Sequence, residues 1–512
     1  MKILLLFLVC SFIGDSITEP YRHLNAQDLD PSRNEYLHII LYIPEIRRSP
    51  ESVSPTENSR LYRYRENDEN TGIDPYRTNN HQLRLNYNQQ RTEGRFPSSA
   101  QGNYFQTSTK APLTTTAQNV PDNKAARTVD YKVSQGSQKF MIGLFSKTAD
   151  TFRNQNANFM VAPFSIWSLM LLLAEGATGQ SFDQLKEALG IPQNLTELRN
   201  TYGHIERTLT GSSAIELEMS QAVIYDTNRP IIPEYRQVVE SEYKADLLPV
   251  NFVNTREAAK VVNEHIRLKT HDKIQNFLEP SDLTDVQLLL ASVNFFKGKW
   301  KFPFLIERTV EEEFFRDGGE SVGKVPMMVQ RSFLPSAMIN DLRASVLELP
   351  YGDDGQICMW LILPYYDTTS SAILEKLNNY DVAKINHALH KFDGNADYEP
   401  SEVVLSLPRF KIESNFDLTE VLKQLGISHV FDSAKANLPK ISKEFPHISR
   451  ISHKAVIDVN EAGTIAAAVA GATVSFKQLP IEFKFNHAFN FMIVDRSTNT
   501  LLFAGQVQDP LK

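Results

Sequence analysis

Apolar positions divide the chain into two unequal parts. Residues 17–130 have few, scattered apolar side chains among Asn, Gln, Ser, Thr, Arg and Pro. Burial of so few cannot offset the cost of ordering the chain, roughly 1 to 2 kcal/mol per residue. The pattern predicts a disordered polar extension over 17–130 and a folded region over 131–512. Segment 36–46, YLHIILYIPEI, is the exception, and it fits either a docking segment or a chance apolar cluster.

Helical spacing of apolar residues begins near Tyr131. The first amphipathic helix is predicted from five apolar positions, Phe140, Leu144, Phe145, Ala149 and Phe152. The next stretch, NFMVAPFSIWSLMLLLAEGATGQSFDQLKEALG, indicates a short strand, a proline, an apolar helix started by Ser165, a glycine-containing break and a second helix.

Later segments have the alternating or continuously apolar patterns of strands. They cover residues 213–226, 286–300, 345–364 and 401–412, and a helical stretch over 255–274 separates the first two. No fixed repeat period occurs, and runs of strands mixed with helices favour an α+β fold.

Composition and the N-terminal residues limit the classes of function that fit this chain. With 512 residues and 42% hydrophobic content, the chain can bury one large core or two ordinary ones. The net charge of −8 and the lack of a basic stripe argue against a nucleic-acid partner. Lys2, the apolar run 3–13 and then small residues predict a secretory signal peptide over 1–16, cleaved after Ser16. The run is about half the ~20 residues of a membrane anchor, so we expect a secreted, extracellular protein without a membrane partner.

The cysteine content and one glycosylation motif fit a secreted protein. Of two cysteines, Cys10 lies in the signal peptide, so the mature chain has only Cys358 and no internal disulfide. Cys358 lies in the apolar run ICMWLILP, where a buried, inert thiol is expected. Asn194-Leu195-Thr196 is an N-glycosylation motif, so Asn194 is the predicted glycan site.

The sequence contains no convincing motif for an enzyme, because the one match lies in the wrong sequence context. Residues 319–323 read Gly-Glu-Ser-Val-Gly, but the flanking sequence lacks the hydrophobic strand and following helix that a nucleophilic Ser321 needs. A turn between strands explains these glycines better. The twelve histidines are dispersed, and no metal-binding or phosphate-binding motif occurs. We therefore predict no catalytic residue, no metal and no cofactor.

Five separated segments from residue 131 onward occur in the order found in one protein family. They are APFSIWSLMLLLAEGATGQSFDQLKEALG, LLLASVNFFKGKWKFPF, LELPYGDDGQICMWLILP, ISHKAVIDVNEAGTIAAAVAGA and IEFKFNHAFNFMIVDRSTNTLLFAGQVQDP. In these segments the chain resembles a serpin. The resemblance implies an α+β serpin fold with a large central β-sheet, two further sheets, about eight or nine helices and an exposed reactive-centre loop. It also implies a monomeric inhibitor, not an enzyme, that traps a serine protease as a covalent acyl-enzyme complex.

The composition of the loop can be tested against that mechanism. A loop that inserts into a sheet as a strand alternates its side chains between two faces. On one face, residues 464, 466, 468, 470, 472 and 474 are small and uncharged, and the whole of 463–476 carries no charge. The resemblance assigns the hinge of this loop to Glu461, Gly463, Thr464, Ala466, Ala467 and Ala468.

The register of the resemblance sets the cleaved bond. In inhibitory serpins the hinge glutamate stands seventeenth, counting back from the residue before the scissile bond, so Glu461 indicates the bond between Lys477 and Gln478. A lysine there suits a trypsin-like protease, whose specificity pocket has a carboxylate at its base. A register shifted by one residue would make Phe476 the cleaved residue, for a chymotrypsin-like protease.

Other positions carry over from the family by matching. Ser165, Asn294 and His453 match the polar cluster that controls opening of the central sheet, and Trp300 matches the place where the loop first enters it. Three residues depart from the family pattern: Ala162 replaces a serine that is usual in the opening cluster, Ala462 a polar or charged hinge residue, and Ala488 a proline.

Two functional alternatives follow from the resemblance. One is a secreted inhibitor of a trypsin-like protease, similar to invertebrate regulators of clip-type protease cascades in immunity and melanisation. The other is a non-inhibitory serpin that acts as a carrier or chaperone. The small residues after Gly463 favour the first, because non-inhibitory members place bulky, charged or proline residues in the hinge.

Overall fold

Our computed structural model describes residues 124–152, 155–210, 215–378, 380–392, 401–444, 447–461 and 479–512. The α-helices of these ranges are α1 (Lys124–Phe152), α2 (Pro163–Gly176), α3 (Gly179–Leu189), α4 (Leu195–Thr210), α5 (Pro233–Glu242), α6 (Thr255–Lys269), α7 (Ser370–Leu377), α8 (Val382–His390) and α9 (Thr419–Gln424). The strands are β1 (Phe159–Val161), β2 (Ile215–Asp226), β3 (Asp246–Val250), β4 (Leu288–Gly298), β5 (Val310–Phe315), β6 (Ser321–Phe333), β7 (Ser336–Ile339), β8 (Ala344–Pro350), β9 (Ile357–Pro364), β10 (Glu402–Pro408), β11 (Phe410–Asp417), β12 (Arg450–Val459), β13 (Ile481–Lys484), β14 (Phe489–Asp495) and β15 (Thr500–Val507).

The central sheet has five strands in the order β11-β12-β4-β2-β3. β4 and β12 are neighbours and run parallel, in register from Leu289 opposite Arg450 to Phe296 opposite Ile457. On either side of this pair, β2 and β11 run antiparallel to their inner neighbours. We call the parallel β4–β12 pair the seam.

Two further sheets complete the β-structure of the described residues. A six-stranded antiparallel sheet has the order β1-β15-β14-β9-β8-β7. A four-stranded sheet has the order β13-β10-β6-β5, in which β13 pairs in parallel with β10. Nine α-helices and three sheets within the described ranges match the predicted α+β architecture.

The core is centred on α2, whose fourteen residues are all buried. A helix that is apolar on nearly all sides is stable only when protein surrounds it, and α2 packs against both β15 and β4. The helix begins at Pro163, two residues before the predicted Ser165, because proline is well suited to the first turn of a helix. Likewise, α1 begins at Lys124, ahead of the predicted start near Tyr131.

The strand segments predicted from the sequence are confirmed. Segment 213–226 contains β2, segment 286–300 contains β4, segment 345–364 contains β8 and β9, and segment 401–412 contains β10 and the start of β11. The helical stretch 255–274 contains α6, which ends at Lys269.

Cys358 and Ser321 have the environments that the sequence predicts for them. Cys358 is fully buried, and this burial raises the pKa of its thiol far above the usual value, so the thiol stays protonated. Ser321 begins β6 after a turn from the antiparallel β5, and Gly319 and Gly323 both have positive φ there. Its Oγ donates a hydrogen bond to the carboxylate of Glu313 on the neighbouring strand β5.

The predicted signal peptide, most of the predicted extension and segment 36–46 lie outside the described residues. Within the part that the structure describes, no helix is both long and apolar enough to cross a membrane. In that same part, no group of three or more His, Cys, Asp or Glu side chains is arranged to hold a metal ion.

Candidate functional site: the seam of the central sheet and the loop ends

The predicted reactive loop lies between β12 and β13 in the sequence, and the structure describes the residues at its two ends. Glu461 is the last described residue before the loop, and Leu479 is the first after it. The predicted hinge and cleavage positions between them lie outside the described residues: Ala462, Gly463, Thr464, Ala466, Ala467, Ala468, Phe476, Lys477 and Gln478.

Glu461 is anchored at the C-terminal end of the seam, two residues after β12. Its carboxylate is buried, accepts a hydrogen bond of 2.6 Å from Thr309 Oγ1 and forms a two-point ion pair with the Arg409 guanidinium. Burial acts to raise the pKa of Glu461, but the hydrogen bonds from Arg409 and Thr309 outweigh it and hold the pKa below its usual value. Glu461, the first predicted hinge residue, is therefore ionised and held in place by Thr309 and Arg409.

Trp300 lies beside Glu461, where the resemblance places loop entrance. Its indole Nε1 donates a 3.0 Å hydrogen bond to the carbonyl oxygen of Asn460, the residue before Glu461. The indole also stacks on Tyr351, with 4.4 Å between ring centroids. The Trp300 side chain thus links the C-terminal end of β12 to the C-terminal end of β4.

The strand directions at the seam are those that an inserting loop needs. The chain that leaves β12 at Glu461 can return beside it only in the opposite direction. Because β4 is parallel to β12, a returning strand is antiparallel to both. Insertion would replace one parallel ladder by two antiparallel ladders, and antiparallel pairing is slightly more stable per residue.

The three predicted cluster residues meet in the middle of the seam, around a fourth residue. Ser292 Oγ lies 3.0 Å from Ser165 Oγ, 3.0 Å from Asn294 Nδ2 and 3.2 Å from His453 Nδ1. All four side chains are buried. His453 is directly opposite Ser292 in the parallel register, so the cluster bridges β4, β12 and the start of α2.

The bonding partners settle the proton positions in this cluster. The backbone N–H of Ala162 donates to His453 Nε2 at 3.2 Å, so Nε2 carries the lone pair and Nδ1 carries the proton. Ser292 Oγ then accepts from both His453 and Asn294 and donates its own proton to Ser165. Burial lowers the pKa of His453 to about 3, so the ring is neutral at physiological pH.

Sequence reasoning missed three members of this network. Ser292 is its centre, and Gln221 on β2 donates to the Ser165 carbonyl oxygen at 3.0 Å and accepts from Ser168 at 3.1 Å. A signal for Ser292 was present, because it and Asn294 are alternate polar residues in an otherwise apolar strand. Gln221 and Ser168 have no such signal, because only the tertiary fold brings β2 to α2.

The structure accounts for two of the three departures from the family pattern. At Ala162 the contact to His453 is made by the backbone, so the missing hydroxyl does not remove it. At Ala488 the backbone N–H donates a 2.8 Å hydrogen bond to the Phe315 carbonyl oxygen, a bond that proline could not make. Ala462 lies outside the described residues.

The predicted glycan site is accessible. Asn194 is exposed in the turn before α4, and its Oδ1 accepts a 3.1 Å hydrogen bond from the Thr196 backbone N–H. An exposed amide in such a turn is open to a modifying enzyme. Its glycosylation stays a prediction.

Replacing Ser292 with alanine is expected to destabilise the native form by about 2 to 6 kcal/mol. The change leaves the buried N–H groups of His453 and Asn294 without their acceptor, at ~1 to 3 kcal/mol for each unsatisfied group. The midpoint of urea unfolding measures the effect. Ser220→Ala is the matched control, because Ser220 is also buried in the central sheet but its Oγ has no partner among the described residues. Equal losses in the two variants would contradict the role of Ser292.

Native stability is expected to decrease as the pH drops from about 6.5 toward 3, partly through His453. Its folded pKa of about 3 lies below the unfolded value, so the unfolded chain binds the proton first. The contribution is complete above pH 6.5, and its slope approaches ~1.4 kcal/mol per pH unit for one group. Urea midpoints between pH 7.5 and 5 should therefore fall more steeply in the wild type than in His453→Gln. Parallel curves would contradict this assignment.

Comparison with known proteins agrees with this geometry. A family model described as Serpin (serine protease inhibitor) matches residues 135–510. Leukocyte elastase inhibitor of Bos taurus is 30% identical over 387 residues, 74% of this chain and 100% of that protein. Iripin-2 of Ixodes ricinus is 32% identical over 360 residues, 68% of this chain and 87% of that protein.

A solved structure supports the fold. The crystal structure of Manduca sexta serpin-12 aligns with a TM-score of 0.64 over 74% of this chain and 99% of that chain, at 24% identity. The predicted serpin fold is confirmed, and the predicted class of inhibitor, as opposed to enzyme, is supported by the family match and its relatives. The chain belongs to the serpin family of serine protease inhibitors.

Proposed function

We propose that this protein is a secreted inhibitor of a trypsin-like serine protease and is cleaved between Lys477 and Gln478. One observation carries the proposal: Glu461 lies two residues after β12, a strand of the parallel seam, and the sequence that follows it is uncharged over 463–476 and then has Lys477. A positively charged side chain at the cleaved position matches a pocket with a carboxylate at its base.

The chemistry is the first half of the ordinary protease cycle. The activated serine oxygen of the protease attacks the carbonyl carbon of Lys477, and the bond to the Gln478 nitrogen breaks. That nitrogen takes a proton and becomes a new amino terminus, while Lys477 stays joined to the protease as an ester. Insertion of 463–476 into the seam then carries the protease away before water can hydrolyse the ester.

The polar cluster supports a seam that can open. Hydrogen bonds around Ser292 close it in the native form, but Asn294 Oδ1 is buried and has no partner among the described residues. A buried acceptor without a hydrogen bond costs ~1 to 3 kcal/mol, so a partner gained on opening would favour the open seam. In this proposal a strand inserted beside β4 brings new donors close to Asn294.

Secretion, the monomeric state and a place in an extracellular protease cascade belong to the same proposal. Secretion is supported by the predicted signal peptide over 1–16 and by the single Asn194 glycosylation motif. The cascade rests on the resemblance to invertebrate serpins and on Lys477.

A gel assay with trypsin tests the proposal. The mature protein is mixed with trypsin, denatured and separated by mass, and we expect a band near the summed mass of the two proteins. The outcome against it is a serpin that is only cleaved, with full trypsin activity remaining. That result would favour the non-inhibitory carrier or chaperone instead.

A further inference from the structure

The outer side of β3 is an open edge of the central sheet. Within the described residues β3 ends the strand order, and β2 is its one neighbour. A cleft of about 430 Å³ lies along this edge, between α5 and α6. The residues that line it include Glu240, Lys244, Asp246, Leu247, Leu248 and His265. We call this site the β3 cleft.

The register of β3 on β2 shows which backbone groups face the cleft. In a strand, the N–H and C=O groups of successive residues point alternately to the two sides. The Thr227 N–H donates a 3.0 Å hydrogen bond to the Val250 carbonyl oxygen, so Val250 and, by alternation, Leu248 point toward β2. Leu247 and Pro249 therefore point away from β2, to the open edge.

Only one outward position offers both a donor and an acceptor. Just before β3, the Ala245 N–H is already bound to the Val239 carbonyl oxygen of α5, at 3.2 Å. Pro249 has no N–H. The outward N–H and C=O of Leu247 have no hydrogen-bond partner among the described residues. Such a pair matches one residue of an antiparallel strand, because two residues paired in this way exchange both bonds.

The carboxylates that line the cleft already have cationic or imidazole partners. Glu240 forms an ion pair of 3.0 Å with Arg236 on the same helix. The Asp246 carboxylate contacts both His265 Nε2 and Lys269 Nζ, each at 3.0 Å. Neither carboxylate needs a cation from a ligand.

Lys244 gives the cleft a positive charge that no carboxylate balances. Its ammonium donates a 2.7 Å hydrogen bond to the Ser241 carbonyl oxygen, and no carboxylate of the described residues forms an ion pair with it. Lys244 also has a φ of +55°, a left-handed conformation that costs a residue with a Cβ roughly 1 to 2 kcal/mol. The cleft therefore favours a negatively charged group on its ligand.

The α6 side of the cleft is partly apolar. The Leu248 side chain packs against the second core cluster, which α6 covers, and is partly exposed. Val261 is 42% exposed and lies one helical turn before His265, so it shares the face of α6 that contacts β3. An apolar position thus lies beside the charged one.

We propose that the β3 cleft binds an extended acidic segment of a partner protein as a strand antiparallel to β3. One acidic residue of the segment exchanges two backbone hydrogen bonds with Leu247, and its carboxylate meets Lys244. The residue before it lies opposite Leu248, on the face of Val261, and is apolar. This mode adds a strand to a sheet edge. Because β2 separates β3 from the seam, the inference does not depend on the proposed cleavage.

Fluorescence anisotropy with two labelled pentapeptides and the full mature protein tests the inference. The first probe is capped Thr-Val-Glu-Thr-Thr, and in the second Lys replaces Glu. The wild type should bind the Glu probe more tightly by roughly threefold or more, and Lys244→Glu should reverse that preference. Methylation of the glutamate nitrogen removes one of the two backbone bonds and should weaken binding roughly fivefold.

Two further measurements locate the bound probe. Val261→Asp should weaken binding of the Glu probe roughly fivefold or more, because it sets a carboxylate beside the apolar side chain of the probe. Val253→Asp is the matched control, because Val253 is 89% exposed but does not line the cleft. Hydrogen exchange of the Leu247 amide should slow when the Glu probe is bound, and the thermal midpoints should show that both variants are folded.

Three results would overturn the inference. One is the absence of binding of the Glu probe to the wild type at millimolar concentration. Another is binding that does not distinguish the two probes in either the wild type or Lys244→Glu, or that leaves exchange at Leu247 unchanged. The third is a wild-type dimer that Val261→Asp converts to monomer in light scattering, because the cleft then holds a second copy of this chain.

Discussion

Thr464→Arg is expected to turn the inhibitor into a substrate of trypsin. In the proposed mechanism residue 464 enters the seam close to Glu461, on the face shared with Ala466 and Ala468. A guanidinium on that face would have to be buried between β4 and β12 without a partner, which costs several kcal/mol. Insertion then becomes slower than hydrolysis of the ester, so water releases active trypsin.

A denaturing gel distinguishes an inhibitor, which forms the covalent complex, from a substrate, which is only cleaved. With Thr464→Arg we expect cleavage after Lys477 at a near-normal rate, loss of at least nine-tenths of the covalent complex, which is about 1.4 kcal/mol in the competition between the two steps, and recovery of trypsin activity. Thr464→Ala is the control, since another small, uncharged residue should insert and give normal complex. An undiminished complex with Thr464→Arg would show that this part of the loop does not enter the sheet.

Lys477→Ala is expected to abolish both the complex and cleavage at the loop by trypsin. Alanine leaves the carboxylate in the protease pocket without its positively charged partner, and trypsin-like specificity depends on that pair. Lys477→Arg is the matched control and should keep the complex. Mass spectrometry of the fragments identifies the bond, because cleavage after Lys477 releases a peptide that begins at Gln478.

The alternative register gives a distinct pattern. If Phe476 is the cleaved residue, Lys477→Ala leaves the inhibition of chymotrypsin intact and Phe476→Ala removes it. A trypsin complex that survives Lys477→Ala would place the bond elsewhere. Together the two substitutions separate the steps of the mechanism, since Thr464→Arg should keep cleavage and lose trapping, whereas Lys477→Ala should lose both.

Much of the fold follows from local pattern. The apolar run of α2 and the strands β2, β4 and β9 are long or strongly apolar, and their existence is predictable without tertiary information. The predicted start of α2 is two residues late, because the polar Ser165 has the composition of a helix start while Pro163 already begins the helix. Boundaries depend on capping geometry, which sequence pattern defines less well than periodicity does.

The site is less predictable, because it is made by long-range register. Family matching identifies Ser165, Asn294 and His453, and alternation with Asn294 marks Ser292 as polar on the same side of β4, but nothing local indicates that His453 pairs with Ser292 across parallel strands. The same holds for Glu461, whose partners Thr309 and Arg409 are distant in sequence. Pairing between strands that are more than a hundred residues apart leaves no periodic signal along the chain.

In the proposed mechanism, the parallel register also sets the order of events during insertion. The loop is tethered at Glu461, so the first row to part lies near Ile457 and Phe296, and separation proceeds downward. The row of His453 and Ser292 is four residues further along, about 13 Å at the rise of a strand. A shallow insertion can therefore occur with the polar cluster intact, and a deep one cannot. In this proposal the row of Ser292 separates two stages of insertion. A loop that stops before it leaves the hydrogen bonds around Ser292 intact, whereas a loop that passes it must break them.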